Sequence, residues 1–380
     1  MTVKDEIVTW FLRNIIIPKN EIIDSPGFIV LKLSMEKEVT NLREIFLPEF
    51  LISKLETCLV DKYGKKGKQL LYSIGKKFGY MYSKNSNYPT LETSTKKEFL
   101  NFTYIVVRYL EAIYAKKIKE EIDVENKIFK IKTGGYIICN ENGLGYILTD
   151  GSIAGVWTYG TGDPTIEGVQ VKCQGRGDKE CEIICAPENY FKNKKIDFFK
   201  ERDYSDLEIC RKDYNEINKI RPTKFATNSF LKLLDSDFFE QKHGVITGKD
   251  GRYILLEASF LYILEKELKK VKDGLKILWG VSFDFGKKLA KISKADDPCK
   301  FIMEFFPALG FGDIMATKSG EKYEIYVNYF PWLKWADEIN FTMFRGILSG
   351  VISGSVNKKV ELKKIEKDIS MGHLSLHISN

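Results

Sequence analysis

A segment that recurs within one chain constrains the fold more than any single motif, because each copy has to build the same local structure and bury it. This 380-residue chain contains such a recurrence. GKQLLYSIGKKFGYMYSK, starting at Gly67, aligns without gaps to GLKILWGVSFDFGKKLAK, starting at Gly274. The alignment matches Gly67 with Gly274, Leu71 with Leu278, Phe78 with Phe285, Gly79 with Gly286 and Lys84 with Lys291. Upstream, FLPEFLISKLETCLVDKYG resembles YILLEASFLYILEKELKKVKDG, a strand-like run leading into a Leu-spaced amphipathic helix. Downstream, GSIAGV from Gly151 recurs as GILSGV from Gly346, a helical segment whose glycines four apart let another backbone come close. Three blocks in one order make a duplication the economical reading.

The chain therefore divides into a first unit over 1–190, a charged connecting segment over 191–225 with one short helix, and a second unit over 226–380. The connecting segment is charged and aromatic, without a clean apolar period, and is long enough to pack across both units. Each unit reads as a pair of strands, an amphipathic helix, a second helix carrying the Phe-Gly pair, and then strands separated by turns. NKIFKIKTGGYIICN alternates apolar residues before its Gly134-Gly135 break, and GEKYEIYVNYF stands in the same place in the second unit. A helix and a terminal strand-turn-strand follow in both. The expected class is α+β, two tandem domains each with antiparallel sheet packed against helices.

Composition narrows the rest. Hydrophobic residues at 44% supply packed cores, and 59 Lys and Arg against 52 Asp and Glu leave no basic arm, so direct nucleic-acid contact is not expected. Lys or Glu interrupts each greasy stretch too often for a membrane span. Seven unevenly spaced cysteines do not make a disulfide framework, and the MTVKDEIVTWFLRN start lacks the order of a signal peptide, so a reducing cytoplasm is expected.

The helix GSIAGV followed by the hairpin CQGRGDKECEI resembles the 4-vinyl reductase domain family, over roughly residues 25 to 187, with the second unit as a degenerate copy. The family is similar in turn to vesicle-tethering subunits of the TRAPP type. The resemblance implies a ligand-binding α/β fold with an apolar cavity between helices and sheet, a small hydrophobic or aromatic ligand, and pairing of domains as a homodimer or, here, within one chain. It also implies zinc at the hairpin, where a carboxylate three residues before the first cysteine and a ligand from the preceding helix complete the set.

In this chain Cys173 and Cys181 flank the turn, Gln170 stands three before Cys173, and Glu167 stands six before. Cys185, Cys139 and Glu167 are the candidates to complete one tetrahedral zinc site per chain, confined to the first unit because no cysteine follows Cys299. The other reading is a set of reduced cysteines that pack as small hydrophobes. His243, His373 and His377 lack partner ligands in sequence and read as surface or packing residues. No phosphate-binding loop, nucleophile elbow or metalloprotease motif occurs.

Tyr72 and Phe78 in the first unit, with Trp279 and Phe285 in the second, are the candidate pocket residues. The expected function is a non-catalytic binding or sensor protein for a small hydrophobic molecule that relays occupancy to a protein partner. An interaction scaffold with a vestigial cavity, a component of a transcription regulator, and an accessory to tetrapyrrole reduction are the alternatives.

Overall fold

The computed structural model describes residues 3–12, 22–35, 38–114, 117–134, 147–205, 207, 224–236, 238–242, 245–331, 338–368 and 373–378. The first half runs α1 (Val3–Phe11), β1 (Ile22–Ser25), β2 (Phe28–Met35), β3 (Glu38–Pro48), α2 (Glu49–Tyr63), α3 (Lys65–Asn85), α4 (Lys96–Tyr114), β4 (Lys117–Asp123), β5 (Ile128–Gly134), α5 (Ile147–Thr161), β6 (Ile166–Lys172) and β7 (Cys181–Pro187). α6 (Glu188–Lys194) and α7 (Phe230–Asp235) lie between the halves. The second half runs β8 (Phe239–Lys242), β9 (Val245–Gly248), β10 (Gly251–Glu257), α8 (Ser259–Lys269), α9 (Gly274–Ser293), α10 (Pro298–Ala308), β11 (Asp313–Ser319), β12 (Lys322–Asn328), α11 (Thr342–Val356), β13 (Leu362–Asp368) and β14 (His373–Ile378). The order of three strands, three helices, two strands, one helix and two strands is thus written twice. The fold is mixed α/β, with antiparallel sheets packed against helices in two sheet-bearing halves.

Sheet order repeats as faithfully. β4-β5-β7-β6 in the first half is matched by β11-β12-β14-β13 in the second. Along β5 and β12 every second residue is buried, which is why both sequences alternate. The first three strands of each half behave differently, because they join one six-stranded sheet of order β1-β2-β3-β10-β9-β8. Its seam is the antiparallel pair β3 and β10, with Tyr253 opposite Pro48 and Glu257 opposite Glu44. Around the seam, Phe78 meets Phe260 edge to face at 5.5 Å, and Lys77 pairs with Glu267 at 3.0 Å, both side chains nearly buried.

Glycine decides the helix pairs. A Cβ on Gly79 would stand 1.9 Å from the Ser152 carbonyl oxygen, and one on Gly155 would stand 2.1 Å from that of Lys76, so α3 and α5 touch backbone to backbone. In the second half Gly286 and Gly350 bring α9 and α11 together in the same way, each 2.1 Å from a facing carbonyl oxygen. The helix that follows is held in both halves by a buried glutamate. Glu56 on α2 accepts from the Leu148 N–H at 3.3 Å, and Glu265 on α8 accepts from the Thr342 N–H at 2.8 Å. An anion there offsets the positive end of the helix dipole.

The strand pair expected at the start of each unit is three strands. α4 and α10 are additional helices. α4 was hard to foresee because Thr103, Ile105, Val106 and Val107 are β-branched, yet Phe99, Thr103, Val107 and Glu111 recur every fourth position and are buried, which fixes a helix. The segment after α6 lies on the first half, with Phe199 against Tyr72 and Tyr204 stacked on Tyr80 at 4.1 Å.

Candidate functional site: an apolar cavity at the sheet seam

In the first half, α4 makes its main contacts with α1 and β4, whereas its counterpart α10 packs on α11 and β11. The difference leaves a cavity of about 250 Å³ between the six-stranded sheet, α3, α4, β5 and α5. Its floor is Leu31, Glu44 and the β10 run Ile254–Glu257; its walls include Phe78 and Tyr82 of α3, Phe129 of β5 and Trp157 of α5. Trp157 is held by its indole N–H donating to the Lys127 carbonyl at 2.8 Å and by stacking on Phe129 at 5.1 Å. Ile105 of α4 lines the cavity and is 45% exposed, so that wall faces solvent on its far side.

The second half carries a different residue at the corresponding place. With Gly151 aligned to Gly346, Thr149 corresponds to Phe344. Thr149 lines the cavity. Phe344 instead stacks on Phe311 at 5.1 Å and meets Phe330 at 4.9 Å and Phe306 at 6.0 Å. Phe344 is thus part of a cluster of four rings where the first half has a threonine.

Two carboxyls interrupt the cavity's apolar surface. Glu44 and Glu257 face each other across the seam and both line it. Burial and the neighbouring Glu257 hold Glu44 well above the usual carboxylate range. Burial lifts Glu257 to about 8, opposed by hydrogen bonds from the Ser259 hydroxyl and its N–H, the latter at 3.1 Å. Burial thus favours the protonated form of both carboxyls.

The remaining sites expected from sequence are dispersed. Phe78 lines the cavity. Phe285 is its counterpart in the buried core of the second half, and Trp279 lies under the Arg345 guanidinium at 5.3 Å. Tyr72 is fully buried in a different cluster, where its hydroxyl donates to Glu167 Oε2 at 2.7 Å and accepts from the Gly168 N–H at 2.8 Å. Lys76 Nζ donates to the same Glu167 oxygen at 2.7 Å and to the Ile166 carbonyl at 2.5 Å. Burial lowers Lys76 and raises Glu167, while their contact opposes both shifts.

Glu167 is thus engaged by Lys76 and Tyr72. Cys173, Cys181 and Cys185 are buried in the main core, where burial pushes the Cys185 thiol well up. Among the described residues no group of three or more His, Cys, Asp or Glu side chains is arranged to hold a metal ion. Cys139, one of the expected zinc ligands, lies outside the described residues. His243 also lies outside them, and His377 sits between Glu324 and Glu366 at 3.7 Å from each. Among the described residues no helix is long and apolar enough to cross a membrane.

Sequence reasoning missed Glu44, Glu257 and Thr149. The first two were legible as lone acids inside the apolar runs REIFLP and YILLEAS, and the third as the odd position in the aligned glycine helices. The chain matches no family model and no curated protein.

Proposed function

We propose that this chain is a non-catalytic binding or sensor protein for a small hydrophobic or aromatic molecule, built from two tandem 4-vinyl-reductase-like domains of which the first holds the apolar cavity. The cavity between α4, α5 and the shared sheet carries the reading, because a walled apolar space with a few polar groups is the usual form of a small-molecule site. The repeated element order supports the resemblance behind it.

Relay to a protein partner is supported by α1. Leu12, just beyond that helix, lines the cavity, while Val3, Ile7 and Trp10, at 74%, 60% and 59% exposure, form an outward apolar stripe. The same stripe favours the second reading, an interaction scaffold. Native mass spectrometry of gently purified chain, with thermal shifts against small apolar compounds, separates the two. A retained or added small molecule and a rise in Tm support the sensor, since a ligand at a hundred times its Kd adds about 2.7 kcal/mol. A chain that stays empty and unshifted while it captures protein through α1 supports the scaffold.

A further inference from the structure

We propose that the molecule bound in this cavity is an apolar amine, its ammonium group held by Glu44 and Glu257, one carboxyl from each half of the chain, and its ring or short alkyl body lodged beside Phe78 and Trp157. The proposal rests on the binding reading above and names the ligand class for it.

The register sets the two carboxyls directly opposite each other on adjacent strands, where Cβ atoms stand about 4.5–5.5 Å apart. No Lys, Arg or His is among the described residues that line the cavity. Arg43, the neighbour of Glu44, is turned to the carbonyls of Gly27 at 3.1 Å and Gly310 at 3.0 Å. Ser259 serves Glu257, but the Glu44 carboxyl, on a residue only 3% exposed, has no hydrogen-bond partner among the described residues. The Thr149 hydroxyl is orphaned in the same cavity. Buried polar groups without partners are costly, and both of these groups line the cavity.

A positively charged donor would pair with either carboxyl once that carboxyl has given up its proton. An ammonium brings three N–H donors and no acceptor. An alcohol brings one donor, and a carboxylate brings only acceptors and adds a like charge as soon as either carboxyl ionises. Size limits the body: a dry cavity of about 150 Å³ takes benzene, so one of about 250 Å³ takes a ring with a two- or three-atom chain.

The protons balance simply. The amine arrives as ammonium, one of the two neutral carboxyls gives its proton to solvent, and the ammonium settles against the resulting carboxylate while the other carboxyl keeps its proton. The other ionisable groups lining the cavity are the phenols of Tyr82, Tyr88 and Tyr109, from α3, the turn after it and α4; phenols ordinarily ionise near 10, at about the top of the relevant range. Binding at pH 7 therefore releases about one proton and tightens up to about tenfold per pH unit until the pair itself begins to ionise.

The test is calorimetry on the full chain with 2-phenylethylamine, 2-phenylethanol and 3-phenylpropionate, at neutral pH in two buffers of different ionisation heat. The amine should bind at least about tenfold more tightly than the alcohol and release about one proton. Glu44→Gln combined with Glu257→Gln, which keeps the shape of both protonated acids, should erase both the preference and the proton release. Should that double variant fail to fold, proton release by the unaltered chain decides alone. Equal binding of amine and alcohol, tighter binding of the propionate, or amine binding without proton release overturns the amine proposal and leaves the apolar-site reading standing. Binding of none of the three overturns both.

Discussion

Thr149→Phe places in the hollow half the residue that stands at the same position in the filled half. At about 24 cal/mol per Å³, an empty cavity of about 250 Å³ costs at most about 6 kcal/mol. One phenyl ring recovers part of that. Burying it contributes about 1.5 to 3 kcal/mol, and removing the orphaned Thr149 hydroxyl relieves about 1 to 3 kcal/mol. Crowding against the existing walls gives back about 1 to 3 kcal/mol. The net expectation is a gain of about 1 to 3 kcal/mol, appreciable beside a total stability of about 5 to 15 kcal/mol. Urea unfolding reads it as a higher midpoint at unchanged m, and under the proposed function the same protein should lose affinity for small apolar molecules. Stability and binding thus move in opposite directions, which a general folding defect cannot imitate. A lower midpoint by more than about 1 kcal/mol, or ligand affinity within threefold of the parent, refutes the argument that Phe344 marks the filled state of this site.

Lys76→Met leaves Glu167 buried without its cation and should cost about 3 to 5 kcal/mol by denaturant unfolding, whereas Lys76→Met with Glu167→Gln should recover most of it; additive effects in that double-mutant cycle refute the coupling. Glu257 is raised to about 8 in the folded chain. Between its unfolded value near 4.5 and about 8 the native state holds the extra proton, so its contribution is fullest below that window and is lost as pH rises through it, by at most about 1.4 kcal/mol per unit. Glu257→Gln should remove that slope from a series of unfolding curves between pH 5 and pH 8. Cys173, Cys181 and Cys185 are buried, so a thiol reagent should reach them only on unfolding; zinc released stoichiometrically with them would revive the hairpin site.

The duplication and the class were legible because they rest on local pattern. Gly79 and Gly286, or Gly155 and Gly350, mark close helix contacts, and close contact excludes a side chain whatever the rest of the fold does. Alternation likewise announced β5 and β12. The shared sheet was not legible, since β3 and β10 are separated by about 200 residues and nothing in either strand names its partner. Pocket residues were misplaced for the same reason: Tyr72 and Phe78 are neighbours on one helix, yet a six-residue offset turns one toward Glu167 and the other toward the cavity. An aromatic stripe tells which faces are apolar, and only the third element packed there tells whether space remains. In this fold that element is α4 or α10, and their sequences share no obvious motif.

Under the proposed function, the seam would give occupancy a physical way to reach the second half. Glu257 belongs to β10 of that half but lines the cavity of the first, so a ligand touching both carboxyls bridges the two. Glu257 is held by Ser259, the first residue of α8, through both the hydroxyl and the N–H. Farther along α8, Glu265 grips the start of α11 through the Asn340 and Thr342 N–H groups at 2.7 and 2.8 Å. Ionising Glu257 strengthens its demand on Ser259, because charged acceptors make the stronger hydrogen bonds. Under the proposed function, a shift of α8 on binding would reach α11 through the buried Glu265 side chain. The hollow half would then detect the ligand and the ring-packed half would respond as a rigid lever, an asymmetry that two equally filled copies could not produce.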